Sequence, residues 1–137
     1  MMKKTILAIL MLYASILSAQ QFKLEIVVTG FKNDKGNAFI GLYNTKESFM
    51  KEGFKSATTI VKNKITYAVF NDLPKGVYAV SLIHDENSNG KLETNFFGIP
   101  KEGFGISNDA KGFMGPPKYE DAKFELTSDK RISIKIQ

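Results

Sequence analysis

The sequence predicts an all-β domain: an antiparallel β-sandwich of about seven short strands, with one short helix and one long Gly/Phe-rich loop. Two observations point there. Apolar and polar residues alternate with period two along most of the chain after residue 20, and clusters of Asn, Asp, Gly and Pro interrupt the alternation at short intervals. Alternation identifies the buried face of each strand without fixing topology. Immunoglobulin-like and transthyretin-like sandwiches therefore both fit, and a small closed barrel is the runner-up.

The elements follow in order. Phe22, Leu24, Ile26 and Val28 share one strand face, opposite Lys23, Glu25, Val27 and Thr29. Asn33, Asp34, Lys35 and Gly36 form a turn cluster before a second strand over residues 38–43, so the first two strands are expected to pair as a hairpin. Thr45 is placed as an N-cap for a short helix over 46–52 that Gly53 would end. Residues 57–62 and 65–70 are β-branched and aromatic, and the turn 71–76 leads into a strand over 77–84. Near the C-terminus Phe124 and Leu126 alternate with Lys123 and Glu125. Ser128 and Asp129 turn the chain, and Ile132, Ile134 and Ile136 alternate with Arg131, Ser133 and Lys135, which reads as a second hairpin.

The first 19 residues are of a different kind. Lys3 and Lys4 precede an apolar run from residue 6 to 17, followed by Ser18, Ala19 and the polar pair Gln20-Gln21. That is the pattern of a cleavable signal peptide (1–19) ahead of a single domain (20–137), and it predicts an exported protein, periplasmic or extracellular. The apolar run is about a dozen residues, short of the roughly 20 that span a bilayer. The chain has no Cys, which excludes a disulfide framework and a lipid-bearing N-terminal Cys. Its formal charge of +5 includes Lys3 and Lys4, and the remaining Lys residues are interspersed with Asp and Glu, so no nucleic-acid footprint is expected.

From residue 83 to 122 the alternation stops, and loops of that length are usually functional or disordered. The segment opens with Asp85, Asn87, Asn89 and Gly90 in the spacing D-x-N-x-N-G, the first half of a calcium loop. Asp85, Asn87 and Asn89 can aim side-chain oxygens at one point, Gly90 permits the sharp turn, Lys91 can add its backbone carbonyl and Glu93 a carboxylate. The twelfth position, where an EF-hand places a bidentate Glu, is Phe96, and the flanks read as strands, so this is not an EF-hand. The competing interpretation is an Asx-rich turn bonding its own backbone. His84 is the single histidine and falls on the face of Tyr78, Val80 and Leu82, as a hydrogen-bonded residue at the rim of the core. With no Cys, no second His and no nucleophile motif, neither a zinc site nor a hydrolytic triad is indicated, and no enzyme activity is expected. Phe96, Phe97, Phe104 and Phe113, four of the 11 Phe in the chain, line the same region. Exposed, they would form a surface for a protein or small ligand. Folded back, they would plug an open edge of the core, which is the more ordinary use of such residues on a small sandwich.

Residues 84–87, 89–92 and 95–100, together with Glu102-Gly103-Phe104-Gly105 and Gly115-Pro116-Pro117, resemble an exported bacterial family, domain of unknown function 2141. The resemblance extends from about Leu24 to Ile134. It implies a leader, one small β domain and no catalytic residues to carry over. Where such loops often read N-G-N-G, this chain has Asn87-Ser88-Asn89-Gly90, and Glu93 stands where Asp is commoner; both changes keep the oxygen ligands. Two functions follow as expectations: a non-enzymatic binding module whose loop holds calcium, or a metal-free structural or interaction domain of the cell envelope.

Overall fold

The computed structural model describes residues 20–87, 102–113 and 115–137. Leu24, Ile26 and Val28 are each 0% exposed, because their strand, β1 (Gln21–Thr29), runs through the middle of a three-stranded sheet. Its neighbours are β4 (Ile65–Pro74), antiparallel to it, and β8 (Lys130–Lys135), parallel to it. Facing it is a second sheet in the order β3 (Lys55–Ile60), β2 (Asn37–Tyr43), β5 (Gly76–Asp85), β6 (Phe104–Ile106), all antiparallel, with β7 (Phe124–Leu126) also paired to β5. The predicted all-β sandwich is therefore present, with eight strands among the described residues and one parallel pairing, β1 with β8.

The core between the sheets joins Leu24, Ile26 and Val28 to Ile40 and Leu42 of β2, Ala68 and Phe70 of β4, Val80 and Leu82 of β5, and Ile134 of β8. Each fully buried aliphatic side chain contributes ~1.5–3 kcal/mol relative to an exposed one. Tyr78 also enters this core. Its hydroxyl donates to the Pro74 carbonyl at 2.6 Å across the β4–β5 turn, and burial pushes the phenol pKa up.

Three local expectations change. Neither predicted hairpin forms: β1 and β2 lie in opposite sheets, as do β7 and β8, so the turns at 33–36 and 127–129 carry the chain across the sandwich. Asp34 anchors the first crossing, its carboxylate accepting the N–H groups of Asn63 and Lys64 at 2.9 and 2.7 Å. Those two residues have φ of 54° and 62°, the left-handed pair of a tight β3–β4 turn. The third change concerns 46–52. The N-cap forms, with Ser48 N–H donating to Thr45 Oγ1 at 3.2 Å, but Met50 turns left-handed (φ 59°) and the segment remains a series of turns. The α-helix that does form, α1 (Tyr119–Ala122), is a single turn further on.

A smaller apolar cluster covers the outer face of the second sheet. Tyr43 and Ala79 pack with Phe49, Ile106, Ala110 and Ala122, and Phe49 meets the rings of Tyr43 and Tyr119 edge-on at 5.4 and 5.8 Å. It holds the 44–52 turns and the 107–122 segment against the sheet where Tyr43 pairs with Ala79, toward the opposite end of β5 from Asp85.

Candidate functional site

The long loop leaves from the end of β5, and its root is built by three chain segments. His84 faces the core, as the alternation from Tyr78 requires: it is 1% exposed, stands edge-on to Phe31 at 5.0 Å, and places Nε2 2.6 Å from the Lys35 carbonyl. A carbonyl only accepts, so that contact puts the proton on Nε2. His84 Nδ1 lies 3.8 Å from a Glu86 carboxylate oxygen.

Asp85, the next residue, points to the opposite strand face and is nevertheless 0% exposed. The 33–36 turn packs against its main chain. Gly36, at φ +62°, packs so tightly that a Cβ there would fall 1.9 Å from the Asp85 carbonyl oxygen, so this position admits only glycine. The returning end of the loop supplies the third segment. His84 N–H donates to the Gly103 carbonyl at 2.8 Å, and Glu86 N–H donates to Glu102 Oε2 at 3.3 Å. Glu102 is itself buried, at 7% exposure. Gly103 lies against the C-terminal tail, where a Cβ would come 2.7 Å from Ile136 Cγ2, and the Phe104 and Gln137 main chains exchange hydrogen bonds beside it.

Of the residues predicted to surround calcium, Asp85 thus sits buried at the loop root and Asn87 is exposed just beyond it. Asn89, Lys91 and Glu93 lie outside the described residues, as do Phe96 and Phe97. Phe104 is half-buried on β6 and packs against the outer apolar cluster, whereas Phe113 is 89% exposed. Among the described residues no three His, Cys, Asp or Glu side chains converge as a ready ligand set, and no helix is long and apolar enough to cross a membrane. Sequence reasoning had no chemical reason to single out Glu102. Its signal is a lone carboxylate beside Gly103 at the end of a Gly- and Phe-rich stretch, and only the fold brings it back to Asp85 and Glu86.

No curated protein and no solved structure matches this chain. A family model does, over residues 26–135, from the middle of β1 to the end of β8. The chain belongs to the bacterial family described as "Uncharacterized protein conserved in bacteria (DUF2141)".

Proposed function

We propose that this protein is an exported, non-enzymatic binding module in which Asp85, Asn87, Asn89, the Lys91 carbonyl and Glu93 hold a calcium ion. The loop so stiffened presents Phe96, Phe97, Phe104 and Phe113 to a protein or small ligand. The observation that supports this reading is the burial of two carboxylates, Asp85 and Glu102, at the two ends of one loop. Asp85 brings a carboxylate to the start of the loop and Glu102 brings one to its return, and carboxylate oxygens are the hard donors calcium prefers. Export rests on the leader-like first 19 residues.

A second reading, a metal-free interaction domain, is favoured by the contacts that already close the root: His84 to Lys35, His84 to Gly103 and Glu86 to Glu102. Calorimetric titration of residues 20–137 with calcium separates the two. The calcium reading expects saturable heat with a dissociation constant between ~10⁻⁵ and ~10⁻³ M, abolished in Asp85→Asn. Absence of heat up to ~10 mM calcium leaves the metal-free reading.

A further inference from the structure

We propose that the outer edge of β4 pairs with β4 of a second copy of this chain, joining two sandwiches through one continuous sheet. The main-chain register sets up this edge. Ile136 N–H donates to the Thr29 carbonyl, so Thr29, Val27 and Glu25 turn their main-chain groups toward β8. Val28, Ile26 and Leu24 therefore face β4, and their partners Thr66, Ala68 and Phe70 face back. Ile65, Tyr67 and Val69 are left with N–H and C=O directed away from the sheet. Ile65 closes onto Lys62 through the β3–β4 turn, and β4 pairs with no described strand besides β1. Tyr67 and Val69 remain as a ladder of open donors and acceptors.

The opposite edge of the same sheet carries protection that this one lacks. β8 bears Lys130, Arg131 and Lys135, and the Lys135 N–H is capped by Asp109 at 2.9 Å. From residue 65 to 70 the β4 edge reads Ile-Thr-Tyr-Ala-Val-Phe, with neither charge nor proline to discourage pairing. Its solvent-facing side chains are apolar: Tyr67 is 60% and Val69 49% exposed, and Ile60, across a shallow hollow of about 450 Å³ where β3 and β4 part, is 76% exposed.

Self-pairing is favoured over other occupants because the edge complements itself. Antiparallel pairing about a two-fold axis at Ala68 sets Tyr67 opposite Val69 of the second copy, twice, as hydrogen-bonded pairs. It stacks a ring on a β-branched side chain on the outer face. The same register brings Lys64 toward Asp72 of the second copy at each end, opposite charges in place of like ones. The ladder is short, so the dimer is a weak, concentration-dependent one.

Sedimentation equilibrium of the protein from ~10 μM to ~1 mM, with amide exchange measured at both ends of that range, tests this. The expected result is a monomer–dimer equilibrium in which protection of the Tyr67 and Val69 amides rises with concentration. Tyr67→Lys and Val69→Pro should each weaken the dimer at least ~tenfold, while Ser133→Lys, on the same sheet face but the far strand, leaves it unchanged. Should Val69→Pro fail to fold by circular dichroism, the exposed Tyr67→Lys decides alone. A protein that stays monomeric to ~1 mM, or a dimer indifferent to Tyr67→Lys, overturns the proposal.

Discussion

Ser107 stands in for a missing residue of the ladder beside Val80: its Oγ accepts the Val80 N–H at 2.9 Å and donates its proton to the Ala122 carbonyl at 2.6 Å. β6 covers β5 at residues 81–83 and β7 covers it at 76–78, so Val80 falls in the gap between them. Ser107 is 0% exposed in that gap. One hydroxyl thus ties the strand that leads to the loop root to the two short elements that return from it.

Replacing Ser107 by Ala leaves the Val80 N–H and the Ala122 carbonyl buried without this partner, which costs ~1–3 kcal/mol for each stranded group. The expected loss is ~2–4 kcal/mol in denaturant unfolding. Ser107→Thr, which keeps the hydroxyl, should recover part of it.

Gly36→Ala tests how closely the 33–36 turn seats on β5. The added methyl meets the Asp85 carbonyl and forces a side chain into a left-handed backbone, so the destabilisation should exceed ~2 kcal/mol by chemical denaturation. Gly115, around whose ideal Cβ nothing lies within 4 Å, should tolerate the same change.

The exposed pair on α1 gives a pH signature. Lys123, by a hydrogen bond at 2.9 Å and then by its charge, holds the Glu120 carboxyl below the usual carboxylate range, and Glu120 in turn raises the Lys123 pKa. A lowered carboxylate pKa stabilises the fold above the ordinary Glu pKa, and that contribution is lost as pH falls through the lowered value. The raised Lys pKa acts in the opposite sense: its contribution is complete below the ordinary Lys pKa and disappears as pH rises through the raised one. Glu120→Gln should therefore melt slightly below wild type at pH ~7 in low salt and together with it at pH ~2. Added salt should shrink the difference, since both groups are at the surface.

What the sequence made legible was faces, and what it hid was partners. Period-two alternation placed Leu24, Ile26, Val28 and His84 inward, because alternation is a property of one strand alone. Sheet membership depends on which strand lies alongside. Asn33 to Gly36 has the composition of a hairpin turn, yet its Asp34 caps the distant Asn63–Lys64 turn and its Gly36 seats on Asp85, so it crosses between sheets. β6 has only three residues, too few to show a period, and is held by pairing to β5 and by the C-terminal tail. At the candidate site, Asp85 and Asn87 were readable from local spacing, whereas Glu102 reaches the root only through tertiary structure.

The most direct test of the calcium reading is the thermal midpoint of residues 20–137 in chelator and in ~1 mM calcium, with Asp85→Asn as the control. For a dissociation constant near ~10 μM the ion should add ~2.7 kcal/mol of stability, a rise of roughly 10 °C in Tm, and the rise should vanish in Asp85→Asn. An unchanged midpoint, or an equal rise in the variant, would contradict a metal bound through the Asp85 loop.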